Sequence, residues 1–278
     1  MLGLNNHLST ALLQGNIMID SSPIWQPSKQ RQASSNEQSF IDYLSQQDID
    51  VSDHWSLYQW SIDKNQDFWC HIWRYFDVQG SYTKPVINEQ HSIEHSTWFP
   101  NGKLNFVQNL LKNTSDKVAL TEVDHQGKYH EISYNLLHKR VNALAYVFKY
   151  DLDIKPKDVI AGLLSNSIDT VVSCLAATKI GATWTSCSLD FGLDAITERF
   201  AQVSPKILCT TSTLASTKKS LEQIEKINNL CMEITSISHI IDCSLKPCEV
   251  LSSPSTLLSQ VPLDVSDVDY ELFDFNHP

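Results

Sequence analysis

The stretch Asp158–Phe200, "DVIAGLLSNSIDTVVSCLAATKIGATWTSCSLDFGLDAITERF", decides the fold. Its first part, "DVIAGLLSN", is apolar on both faces, the pattern of a strand buried in a covered sheet. In "SIDTVVSCLAATKIG" the residues Ile168, Val171, Val172, Leu175, Ala176 and Ile180 recur at helical spacing, and Gly181 follows as a helix-ending residue. "ATWTSCS" reads as a second strand and "GLDAITERFAQV" as a second helix, with Ile196, Phe200 and Val203 on its apolar side. The rhythm continues through "PKILCTT", a strand, "LASTKKSLEQIEKINNL", a helix, and "ISHIIDCS", a strand. Strands that alternate with helices require right-handed crossovers and therefore parallel pairing. The expected fold is α/β, a doubly wound, mainly parallel sheet covered on both faces; one sequence leaves the strand order open.

Upstream of this core the pattern changes. "VALTEVDHQGKYHEISY" holds two β-rich runs around a polar segment with Gly127, a predicted hairpin, and Ser133 opens a long helix carrying Leu136, Leu137, Val141, Leu144, Ala145 and Phe148, with Arg140 at its edge. That helix ends before "IKPKD", where Pro156 marks a turn. Further upstream, Ser35 with Gln38 and Asp63 with Gln66 have the spacing of helix-starting capping boxes. The second precedes "FWCHIWRYF", where Trp69, Ile72, Trp73 and Phe76 share one helical face. A base-stacking platform is the functional reading of such a stripe, but core packing fits better in a chain with so few cations nearby. The resulting organisation is a polar arm over residues 1–35, a helical extension over 36–100, and the α/β region over 101–278.

Composition narrows the partners. With 21 Lys plus Arg against 32 Asp plus Glu, the net charge of −11 opposes nucleic acid and anionic membrane surfaces. No apolar run approaches a membrane span, and the N-terminal "MLGLNNHLSTALLQGNIMIDSS" lacks the Lys and Arg of a leader, so the expectation is a cytoplasmic protein. The seven cysteines are odd in number and contain no CxxC pair, which suits reduced thiols.

In doubly wound sheets ligands collect at the carboxyl ends of strands, and "CSLDFG" stands at one such end. Gly192 there would allow backbone approach to a ligand or a positive φ, and the helix from Leu193 would offer free N–H groups; a plain strand-to-helix turn is the alternative. Around this corner, "IGATWTSCSLDFGLDAITERFAQVSPKILCT", with "WFPNGKLNFVQNLL" (Trp98–Leu111) and "IWQPS" (Ile24–Ser28), resembles the acetoacetyl-CoA synthetases, a branch of the adenylate-forming acyl-CoA synthetases. The resemblance runs from about Ile24 to the last residue. It implies ligation of acetoacetate, or of another short acyl acid, to CoA with ATP and Mg²⁺ through an acyl-adenylate. It also implies that Phe191 and Gly192 lie by the CoA tunnel. The same resemblance implies that Lys218 or Lys219 meets CoA phosphate, although "TLASTKKS" from Thr213 replaces a family stretch rich in Gly and Tyr that ends in Lys, and Leu189 stands where the family usually has proline. Because the resemblance starts near Ile24, Met18 is the expected initiator.

That chemistry needs a Ser/Thr/Gly-rich phosphate loop, and the eight glycines at 3, 15, 80, 102, 127, 162, 181 and 192 are too dispersed to form one. "FDFNHP" (Phe273–Pro278) resembles the segment just before that loop, so the expectation is an N-terminal portion of a ligase, inactive alone, with no catalytic residue of its own. The alternatives are a non-catalytic short form binding CoA or a partner chain, and the same portion of an acetyl-CoA or other short-chain synthetase. His91, Glu94 and His95 match an HxxEH zinc spacing, and His239, Cys243 and Cys248 form a loose set, but coincidence and buried thiols account for both better, so no metal site is expected.

Overall fold

Residues Val159–Leu163 (β7) form the second-to-last strand of a five-stranded parallel sheet whose order is β11-β10-β9-β7-β8, with β8 at Thr183–Cys187, β9 at Ile207–Thr210, β10 at His239–Asp242 and β11 at Ser255–Leu257. The structure is a computed structural model that describes residues 24–88, 93–124, 126–213, 217–244, 248 and 250–278. Met18, His91 and Leu214–Ser216 lie outside the described residues. The chain divides into two units, residues 1–71 and 72–278.

In the second unit the sheet is covered on both faces, as its continuous apolar strands require. One face packs Ile160, Ile207, Cys209 and Ile241 against the helices α6 (Tyr134–Tyr146) and α7 (Ile168–Lys179), through Val141, Leu144, Val172, Leu175 and Ala176, with Phe148 from the π-helical turn Val147–Asp151 that follows α6. The other packs Ala161, Leu163, Leu208 and Ile240 against α8 (Leu193–Ala201) and α9 (Thr217–Glu233), through Ile196, Phe200, Ile227 and Leu230. Alternate residues of each strand go to alternate faces, the period-2 rule of a pleated strand. Each fully buried Ile, Leu or Phe contributes about 1.5–3 kcal/mol. Val203, expected on the apolar side of α8, lies past its end and is exposed.

Local signals set the element ends. Ser133 and Ser167 cap α6 and α7 by accepting from the N–H groups of Leu136 and Thr170 at 3.3 Å each. The hairpin β5 (Val118–Val123) and β6 (Tyr129–Ser133) turns on Asp124, whose Oδ1 accepts from the Gln126 and Lys128 N–H groups at 2.8 and 3.0 Å, with Gly127 at φ +78°. Two shorter sheets complete the unit, β1 (Gly80–Ser81) with β4 (Lys103–Leu104) and β12 (Phe273–Asp274), and β2 (Ile87–Asn88) with β3 (Thr97–Trp98).

Gly181 ends α7 with φ +74°, and a Cβ there would lie 2.3 Å from the ring of Phe273. Gly181→Ala combines left-handed backbone strain with a displaced ring, and lowers the unfolding free energy by about 2–4 kcal/mol in urea melts followed by circular dichroism. A loss below about 1 kcal/mol would show that Phe273 swings out of the way at little cost.

The first unit is helical, with α1 at Lys29–Ala33, α2 at Asn36–Ser45, α3 at His54–Asp63 and the start of α4 (Asn65–Tyr75). Ser35 caps α2 by accepting from the Gln38 N–H at 3.1 Å, while the Gln38 amide, expected to complete the box, instead donates to Asp42 at 2.9 Å. Phe40 and Trp60 both meet the edge of Phe68, and Phe40, Ile41, Leu44, Val51 and Cys70 are buried. The second expected cap is corrected: Asp63 is the last residue of α3, its carboxylate accepting from the Gln59 amide at 3.0 Å, and the capping box in this region is Asp53 with Ser56. The aromatic stripe holds in part, since Trp73 is buried against Phe99 and Tyr82 while Phe76 is exposed past the helix end.

Candidate functional site

The strand order fixes where a ligand would go. The chain leaves β7 through α7 on one face to reach β8, then returns through α8 on the opposite face to β9, which lies on the other side of β7. β7 and β9 therefore flank the point where the order reverses, and the crevice at their carboxyl ends is the binding position of doubly wound sheets. Four turns converge on that edge: Leu164–Asn166 after β7, Ser188–Gly192 after β8, Thr211–Thr213 after β9, and Cys243–Ser244 after β10.

The corner Ser188–Gly192 is tightly tied. Ser188 Oγ donates to Asp190 Oδ2 at 3.2 Å and accepts from the Asp190 N–H at 3.3 Å, while the Phe191 N–H donates to Ser188 O at 3.3 Å. From α9, Lys226 Nζ donates to the carbonyls of Leu189 at 2.9 Å and Phe191 at 3.1 Å. The Arg199 guanidinium lies over the half-exposed Phe191 ring, 5.0 Å from its centroid. Gly192 corrects one expectation: its φ is −66°, open to any residue, and a Cβ on it would meet nothing within 4 Å. Neither backbone strain nor packing demands glycine at this position, where it stands as the N-cap of α8.

Deeper at the same edge lies a buried polar cluster. Asp242 accepts from the Ser212 hydroxyl at 2.6 Å, the Ser212 N–H at 3.2 Å and the Ser244 N–H at 3.0 Å, and Ser244 Oγ accepts from the Thr213 N–H at 2.9 Å. Thr210 Oγ1 closes the switch point by donating to Leu163 O at 3.0 Å.

A cavity of about 330 Å³ opens at the carboxyl end of β7, between the β5 strand and the start of α7, lined among others by Glu122, Asn166 and Ser167. The Ile168 N–H at that helix start donates to Glu122 Oε2 at 2.9 Å, so a carboxylate already occupies the place a phosphate would take. Among the described residues no group of three His, Cys, Asp or Glu side chains is placed to hold a metal ion. His239, in the loose set with Cys243 and Cys248, instead bonds Thr256 Oγ1 at 2.8 Å. Burial pushes the thiols of Cys174, Cys187 and Cys231 up, that of Cys209 to about 12 and that of Cys243 well above its ordinary value, so none is poised as a thiolate nucleophile.

Lys218 and Lys219 sit in the first turn of α9, Lys218 within 3.8 Å of Glu222. Lys226, two helical turns further on, reaches the corner with its ammonium. Sequence reasoning passed over it because its carbonyl partners lie some 35 residues away, and only the register of α9 brings them together.

The AMP-binding enzyme family matches residues 107–256, more than half of the chain. The chain belongs to the AMP-binding enzyme family. A second family, described as the acetyl-coenzyme A synthetase N-terminus, matches residues 54–110 of the chain. Its relatives include acetoacetyl-CoA synthetases from Danio rerio, 25% identical with 94% of this chain and 41% of the relative covered, and from Xenopus tropicalis, 29% identical with 80% and 35% covered. The solved acetoacetyl-CoA synthetase from Streptomyces lividans superposes with a TM-score of 0.79 at 25% identity, over 92% of this chain and 40% of the other. The chain thus spans well under half the length of the relatives it matches. Among the described residues no helix is long and apolar enough to cross a membrane.

Proposed function

We propose that this chain serves ATP-dependent ligation of a short acyl acid, acetoacetate, to CoA, forming acetoacetyl-CoA, AMP and pyrophosphate through an acyl-adenylate. The observation that carries the reading is the match to acetoacetyl-CoA synthetases along up to 94% of the chain. In this reading residues 36–100 are the extension and 101–278 the first part of the adenylation domain. The corner Ser188–Gly192 is the surface that receives CoA. Gly192 fits such a ligand, because open space faces the position of its missing Cβ and its N–H has no partner among the described residues. When bound, CoA supplies the thiol that displaces AMP from the acyl-adenylate. This chain's own part is to orient it: Phe191 and Arg199 offer a flat cationic surface, and the Gly192 N–H offers a donor.

The described residues do not fit ATP and Mg²⁺ in the same way. Glu122 fills the helix start after β7, and the dispersed glycines form no phosphate loop. No adenylation step is therefore assigned to these residues, and the 278-residue polypeptide alone is expected not to adenylate. The test has two arms. Titration calorimetry with CoA is expected to give saturable binding, and acetoacetate-dependent exchange of labelled pyrophosphate into ATP is expected to be absent. Exchange above background would place the adenylation machinery within this polypeptide; absence of CoA binding would remove the corner as its receptor.

A further inference from the structure

We infer that Lys226 is a positioning residue, a latch from α9 that sets the Phe191–Gly192 peptide so that the Gly192 N–H faces the ligand side of the corner. The inference rests on the reading of the corner as the CoA-receiving surface.

Three observations meet here. The Lys226 ammonium donates to two carbonyls of one turn, Leu189 O at 2.9 Å and Phe191 O at 3.1 Å. It has no carboxylate within ion-pairing distance among the described residues, so its charge is spent on those carbonyls. In a trans peptide the carbonyl and the following N–H point in opposite directions. Holding the Phe191 carbonyl toward α9 therefore turns the Gly192 N–H away from α9, and that N–H has no hydrogen-bond partner among the described residues. The same peptide precedes a residue with open space at its Cβ position. An unpartnered donor next to open space is held in place by a lysine that itself points elsewhere.

The alternative is that Lys226 merely joins α9 to the corner and stabilises both. The two differ in what a ligand feels. A structural tie can be replaced by any compensating contact without changing ligand affinity; a latch on one peptide changes affinity whenever the peptide can flip. Arginine keeps the charge and the donors on a similar stem, whereas methionine keeps the stem and loses both.

The experiment uses the full 278-residue chain as wild type, Lys226→Met and Lys226→Arg. Amide exchange of Asp190 and Phe191, both bonded to Ser188, is read without ligand, and CoA affinity by calorimetry. Lys226→Met is expected to speed exchange at both amides and to weaken CoA by about tenfold or more, the scale of one lost charged hydrogen bond. Lys226→Arg is expected to restore both. If Lys226→Met binds CoA as wild type does, or if its corner amides exchange at the wild-type rate, the latch is overturned. If wild type itself does not bind CoA, the CoA reading fails separately, and the latch stands or falls on the exchange of the two amides across the three chains.

Discussion

Replacing Asn142 by leucine lowers the unfolding free energy by about 3–5 kcal/mol at pH 7, the range found when a buried charge loses its partner. Asn142 is buried on α6, and its two side-chain atoms serve three groups from distant segments. Its Oδ1 accepts from Lys179 Nζ at 2.9 Å and from the Val268 N–H at 2.9 Å, and its Nδ2 donates to Ser266 O at 3.3 Å. Lys179 is only 3% exposed, with its ammonium 4.3 Å from the centre of the Tyr270 ring. Leucine fills the volume of asparagine but leaves that ammonium with only an aromatic face, and leaves the Val268 N–H with no acceptor.

The pH dependence separates the charge from the packing. Burial lowers the Lys179 pKa from 10.5 to about 8, against the opposing pull of Asp267 and Asp269. Between those two values the unfolded chain binds more protons than the folded one, so this group makes stability rise with pH across that window. Below pH 8 the folded protein carries the cost of a buried ammonium, and above it the amine is neutral. The Asn142→Leu loss is therefore expected to shrink between pH 7 and pH 9.5 in urea titrations. A loss that is the same at both pH values would show that the Val268 and Ser266 backbone bonds carry the effect. A loss below about 1 kcal/mol at pH 7 would mean that the segment around Val268 is held by its apolar contacts alone.

Lys179 also shows how far the sequence could be read. Its helix was legible, because Val172, Leu175 and Ala176 keep the 3.6 period and Gly181 stops it, and both features are local. That Lys179 is buried was not legible, since its partners stand 37 and 91 residues away in sequence. The same division runs through the fold. β7, β9 and β10 announce themselves as apolar runs and β8 by its place between two helical patterns, whereas β11 and β12, of three and two residues, carry too few side chains to show a period. α3 was passed over because its apolar residues do not gather on one buried side: Trp55, Tyr58 and Ile62 are all exposed. Of the candidate site, the corner at Phe191 and Gly192 follows from a strand end meeting a helix start, a local pattern. Lys226 and the Asp242 cluster depend on which strands are neighbours, and the strand order is not written in any one segment.

Asp242 supplies the other large effect. Its carboxylate is 2% exposed and accepts three hydrogen bonds, from the Ser212 hydroxyl and N–H and from the Ser244 N–H. Asp242→Ala removes the acceptor for the Ser212 hydroxyl and the Ser244 N–H together, while the Ser212 N–H retains Ser244 Oγ at 3.0 Å. Two buried donors left unpaired, both deprived of the carboxylate, cost about 3–4 kcal/mol in the unfolding free energy. Asparagine distinguishes geometry from charge. Its amide oxygen can take the Oδ1 position, accepting from both N–H groups, and its NH₂ can then donate to Ser212 Oγ. The Ser212 hydroxyl is freed by this to donate to Ser244 Oγ, 3.1 Å away. Every group keeps a partner, so Asp242→Asn is expected to cost less than about 1 kcal/mol in the same melts. An asparagine variant as unstable as the alanine one would mean that the negative charge itself holds the turns after β9 and β10. Those turns form the edge of the switch-point crevice, so the alanine variant also predicts faster amide exchange at Ser212 and Thr213, where the polar cluster now holds the backbone.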